Sequence, residues 1–92
     1  MQVIDPGHSY ELAYGNTLSF IKRTNGVLVN EGTTNEEVIE VLLDRLHFLH
    51  KKLPCRENSL TITKLEEALL WLNHRTAKRL VQGIESTDTP HV

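Results

Sequence analysis

Arg75 and Arg79 stand four residues apart, with Trp71 one turn earlier and Lys78 between the two arginines. On a helix that spacing puts both guanidinium groups on one face. Two planar guanidinium forks on a rigid element can grip phosphate bidentately, and an indole or a phenol can stack on a nucleobase. The same residues have a plainer reading: cations favoured near a helix C-terminus, with Trp71 in an interface between subunits. Nearer the start of the chain, Tyr10 is a candidate stacking platform and Lys22 a candidate phosphate contact, if that segment folds over a subunit junction. Their plainer reading is a packed tyrosine and a surface lysine.

Two other groupings hold reactive side chains. His47 and His50 lie three apart, a spacing at which two imidazoles on a helix reach one metal ion. A zinc site needs further ligands and supporting hydrogen bonds. No H-E-x-x-H pattern is present and Cys55 has no partner cysteine. The two histidines therefore read as solvated helix residues, and neither a metal nor another cofactor is expected. Cys55, Asp44 and the histidines hold the groups of a hydrolytic triad. They lack a glycine-rich nucleophile elbow or a phosphate loop around them. The expectation is a binding protein without catalytic activity.

The whole composition sets outer limits on the ligand. With 92 residues, 39% of them hydrophobic, and a mean hydropathy of -0.30, the chain is expected to be one globular domain. A domain so short buries only about 60% of its chain surface, so its own core is small. A formal net charge of -2 and a pI near 6.2 argue against duplex DNA or RNA, whose many phosphates call for a broad basic face. A pocket for one or a few phosphates needs only local positive charge. No apolar run approaches the roughly 20 residues that cross a bilayer, and the N-terminus has no signal-peptide h-region. A lone cysteine gives no internal disulfide, so the expected location is the cytoplasm, with no membrane partner.

The elements that must carry these residues follow from periodicity and punctuation. Asp5-Pro6-Gly7 is a turn, and Ser9-Tyr10-Glu11-Leu12 is too short to assign by itself. Leu18 to Lys22 and Val27 to Val29 flank Asn25-Gly26, the signal of a possible β-hairpin. Thr34 with Glu37 three residues on fits a capping box, which predicts a helix over about 35–52. Its apolar stripe is Val38, Leu42, Leu46, Leu49 and Leu53, widened by Ile39, Leu43 and Phe48. Pro54 breaks that helix. A second is expected over about 55–82, ending at Gly83 as a left-handed cap. Its stripe is Ile62, Leu65, Leu69 and Leu72, interrupted by Thr76 and resumed at Leu80. The expected fold is mainly α: an antiparallel two-helix hairpin after a short N-terminal segment, 1–32. These form a single helical domain over 1–83, followed by a mobile tail over 84–92. Leu43, Phe48, Leu70 and Trp71 fall outside the facing stripes, so a homo-oligomer is expected.

Several stretches carry a resemblance to a known family. They are Pro54-Cys55-Arg56-Glu57-Asn58-Ser59, then Ile62 to Leu69 with Trp71-Leu72, and Pro6-Gly7-His8-x-Tyr10-x-Leu12. Phe20-Ile21-Lys22, Gly32-Thr33-Thr34-Asn35-Glu36-Glu37-Val38 and Arg75-Thr76-x-x-Arg79 complete the set. From Pro6 to about Glu85 the chain resembles the phage anti-CBASS sponges, which trap the cyclic oligonucleotide messengers of bacterial antiviral signalling. The family continues past Gly83 with a further glycine, where Ser86 stands here. The resemblance implies a non-catalytic homohexamer in the host bacterial cytoplasm that sequesters cyclic di- and trinucleotides. It implies that Tyr10 stacks on the bases of a cyclic dinucleotide and that Lys22 meets its phosphate. It further implies separate trinucleotide sites where three subunits meet, with Thr33, Thr34 and Arg75 as candidates for the phosphates and Arg79 beside them.

Overall fold

The structure is a computed structural model and describes residues 1–82; Gly83, the expected tail and Ser86 lie outside the described residues. The described residues form two compact units, one of residues 1–34 together with residues 79–82, the other of Asn35–Lys78.

The first unit holds more sheet than one hairpin. Strands β1 (Gln2–Asp5), β2 (Ser9–Glu11) and β3 (Thr17–Ser19) make an antiparallel sheet in the order β1-β2-β3. Asp5-Pro6-Gly7 is the turn between the first two. The His8 N–H donates to the Asp5 carbonyl at 2.9 Å, and Gly7 has a φ of 77°, as a type II turn with proline then glycine requires. The unassigned stretch Ser9 to Glu11 is the central strand. A 3-10 turn, Ala13–Gly15, joins β2 to β3.

The expected hairpin around Asn25-Gly26 is present, as β4 (Lys22–Thr24) and β5 (Val27–Asn30). Asn25 and Gly26 have φ of 53° and 79°, the pair of positive values that a type I′ turn needs. The hairpin is shorter than the Leu18 to Val29 expected, because Leu18 pairs with Tyr10 in the other sheet. Sheet pairing there outweighs continuation of a strand through Ile21. The chain then returns past the first sheet. Phe20 and Thr33 form a parallel bridge, with Thr33 N–H donating to Ser19 O at 2.9 Å and Ile21 N–H to Thr33 O at 3.0 Å.

The second unit is the helical hairpin. Helix α1 (Asn35–Lys52) opens directly after Thr34, with Glu36 and Glu37 in its first turn and His50, Lys51 and Lys52 in its last. Both placements suit the helix dipole. Helix α2 (Arg56–Gln82) follows a short turn at Leu53-Pro54-Cys55 and runs to the last described residue. Thr76 Oγ1 donates to Glu36 Oε2 at 3.2 Å, tying the start of α1 to the far part of α2. The helices are therefore antiparallel. Thr76 interrupts the apolar stripe because it makes this bond.

Along α2 the expected stripe is the packed one: Ile62 is buried at 7% exposure, and Leu65, Leu69 and Leu72 are half-buried. On α1 Val38, Leu46 and Leu49 of the expected stripe are half-buried, but Leu43 takes the place of Leu42 on the inward face. Ile39 is half-buried as well, whereas Leu42 and Leu53 are exposed. Leu43 thus belongs to the facing stripe and not to the surplus. Leu53 is excluded because α1 has ended before it. Phe48, Leu70 and Trp71 stay exposed, as expected, with Trp71 at 64%.

Candidate functional site

Among the candidate ligand-binding residues, Tyr10, Lys22 and Thr33 are placed by the sheets of the first unit. Tyr10 sits at the centre of β2, registered with Val3 on one side and Leu18 on the other. Its ring meets Phe20 edge-on, with centroids 6.1 Å apart and planes at 88°. That contact fixes the ring and leaves it half-buried. It is the packed tyrosine of the plainer reading, and it is also a rigid aromatic surface.

Lys22 opens β4. Its Nζ lies 2.9 Å from Asp5 Oδ2 at the end of β1. The hydrogen bond from Lys22 holds the Asp5 carboxyl below its usual range. The Lys22 charge, and to a lesser extent that of His8, act in the same direction, while desolvation opposes them. Nothing in the local sequence connects residue 5 with residue 22, so the motifs did not single out Asp5 as the partner of this candidate residue.

Thr33 is held against the Ser19-Phe20-Ile21 segment that leads into Lys22. Gly32 makes this approach possible: a Cβ there would stand 2.5 Å from Ser19 O and 2.7 Å from the Phe20 carbonyl carbon. Only glycine fits a backbone crossing this close. Thr33 Oγ1 lies 3.5 Å from Thr34 O, and Thr34 leads directly into α1.

Arg75 and Arg79 continue the inward line of α2, since both are half-buried along with Thr76. The Nε atoms of both are shielded from water and have no hydrogen-bond partner among the described residues. Cations serving only the helix dipole would be solvated. An unpaired buried donor costs about 1–3 kcal/mol, so these two guanidinium groups are suited to an acceptor from outside the described chain. Trp71 lies against His74 edge-on, with centroids 6.2 Å apart.

Of the histidine and cysteine candidates, His50 and Cys55 serve the helix connection, and His47 is exposed. His50 Nδ1 accepts the Cys55 N–H at 3.4 Å, and Cys55 Sγ accepts the Asn58 N–H at 3.4 Å. The second is an N-cap to α2, with sulfur in place of the usual oxygen. Among the described residues no group of three or more His, Cys, Asp or Glu side chains is gathered around one point. No helix of the described residues is long and apolar enough to cross a membrane.

Comparison with known proteins turns this arrangement into a relationship. Residues 19–77, more than half of the chain, match the family model of the Acb2/Tad1 hairpin domain. A relative named Thoeris anti-defense 1, from Bacillus phage SBSphiJ7, is 51% identical over 57 residues. Those residues are 61% of this chain, and they cover 40% of the relative's length. Residues 19–77 contain β4, β5, all of α1 and most of α2, and with them Lys22, Thr33, Thr34 and Arg75. The chain belongs to the Acb2/Tad1 hairpin-domain family, a family of phage anti-defense sponges.

Proposed function

We propose that the chain binds cyclic di- and trinucleotide second messengers and sequesters them uncleaved, blocking CBASS-type signalling in the cytoplasm of an infected bacterium. Family membership carries this reading. The two shielded guanidinium Nε atoms support it, because a compact phosphodiester supplies the acceptors they lack. In the proposed assignment Tyr10 and Lys22 serve a dinucleotide, and Thr33, Thr34, Arg75 and Arg79 serve the phosphates of a trinucleotide. Binding without cleavage removes the messenger by mass action, so abundance and affinity set the effect.

The assembly is proposed to be a homohexamer. Ile62 is the buried side chain of the described residues, a core too small to account for the exposed Phe48, Leu70 and Trp71 on a monomer. The 51% identity to a protein named for countering Thoeris favours a second reading, interference with Thoeris signalling by the same sequestration.

Isothermal titration with cyclic di-AMP, cyclic di-GMP and cyclic tri-AMP tests the first reading, followed by heat release and chromatography of the ligand. Binding with intact ligand recovered supports a sponge; converted product would mark an enzyme. No heat with any of the three, from a folded oligomer, would replace it with a helical protein-interaction or regulatory adaptor or with the anti-Thoeris reading. Phage replication in hosts carrying CBASS or Thoeris alone separates those two.

A further inference from the structure

Lys22 is not an open cation in this fold. Its ammonium is held 2.9 Å from the Asp5 carboxylate, and the two side chains remain 29% and 35% exposed. The partners come from separate sheets, seventeen residues apart, and an irregularity in the strands adjoins each. The pairing of β1 with β2 shifts between Val3 and Asp5, where Ile4 is the extra residue. The pairing of β4 with β5 shifts between Lys22 and Arg23, where Val29 is the extra residue. Bulges re-aim the side chains beside them. Here two of them adjoin the two ends of one ion pair.

A phosphodiester reaching Lys22 meets a neutralised pair, and sharing the ammonium would leave two anions side by side. The pair is partly exposed, so holding it together favours the closed form only a few-fold. Releasing the carboxylate also removes its repulsion with the incoming phosphate. Exchange is therefore favoured over sharing. We propose that Asp5 sets the affinity of this site as an internal competitor: the ligand's phosphate takes Lys22 only by displacing the Asp5 carboxylate. This rests on the reading of Lys22 as a phosphate contact. Asp5 acts through Lys22 and does not touch the ligand, and it gives the site a threshold that weakly anchored anions fail to cross.

The test is isothermal titration of the full chain with cyclic di-AMP and cyclic di-GMP. Asp5→Asn keeps the size of the side chain and the Asp5 carbonyl that accepts from His8. It should tighten binding about three- to tenfold. Lys22→Ala should weaken binding, and Asp5→Asn added to Lys22→Ala should give no gain. Unchanged or weaker binding by Asp5→Asn, with Lys22→Ala still weakened, would overturn the competition and leave the site reading standing. An equal gain in the Lys22→Ala background would also overturn it, because the effect would then be simple repulsion. Parental binding by Lys22→Ala, or no binding by the parent, would sink both. The parent itself gives a second measurement that needs no variant. The Asp5 carboxyl carbon, followed by NMR against pH, should titrate higher with ligand bound than without, and an unshifted midpoint at saturation would overturn the exchange.

Discussion

At the scale of single residues, side chains held away from their easiest state are the most informative. Arg75 and Arg79 keep their Nε atoms from water without a partner among the described residues. Arg75→Ala should therefore stabilise the ligand-free protein or leave it unchanged, while weakening cyclic tri-AMP binding more than Tyr10→Ala does. Thermal melting and titration calorimetry measured on the same preparations check both halves. Tyr14 is strained in a different way. It is fully exposed with a φ of 67° in the Ala13–Gly15 turn, a left-handed conformation that glycine adopts more readily. Tyr14→Gly relieves that strain but loosens the unfolded chain. The net gain should be about 0.5 kcal/mol, seen as a melting temperature higher by about two to four degrees.

At the scale of elements, stability rests on a few junctions. Gly32 lets the chain cross the Ser19-Phe20 backbone before α1 begins. Gly32→Ala should cost about 1–3 kcal/mol through that clash, and denaturant unfolding would show it as a lower midpoint at unchanged slope. In the helical hairpin, Ile62→Ala removes the buried side chain, and its half-buried neighbours leave room to close over the gap. A loss near the low end of the usual range, about 2 kcal/mol, is expected. The junction between β1 and β4 responds to acid. The folded-state pKa of Asp5 lies below its ordinary value of 3.8, chiefly because of the Lys22 hydrogen bond. Its contribution is therefore complete above that value and is lost as pH falls through the lower folded one. Asp5→Asn should flatten the parent's loss of stability in that acid window, which melting curves recorded from neutral pH downward would show.

At the scale of the whole molecule, the surplus apolar surface decides the next experiment. Phe48 is partly accounted for by the Lys52 ammonium 4.6 Å above its ring. Leu70 and Trp71 are both exposed on α2. In the proposed homohexamer this surface is buried between subunits. Trp71→Glu should then lower the mass found by light scattering after size-exclusion chromatography, while the helical circular dichroism of the hairpin persists. An unchanged mass would exclude Trp71 from the interface.

The helical half of the protein was legible from residue order because its signals are local. Thr34 before α1, Pro54 between the helices and the Ile62-Leu65-Leu69-Leu72 stripe each act within a few residues, and each marks the element observed. Asn25-Gly26 was equally readable, since a type I′ turn needs two positive φ values in succession. Arg75 and Arg79 stood out by their helical spacing, whereas the roles expected of Tyr10, Lys22, Thr33 and Thr34 came from the family resemblance. Other features depended on long-range pairing, which sequence neighbours do not encode. Ser9 to Glu11 is a strand only because β1 and β3 flank it, and Leu18 left the expected hairpin to pair with Tyr10. That Leu43 faces inward and Leu42 outward was decided by packing within the helical hairpin. Thr76 in an apolar line made sense only once Glu36 stood beside it. Asp5, read from order alone as the first residue of a turn, became the partner of Lys22 when separate strands brought opposite charges within 2.9 Å.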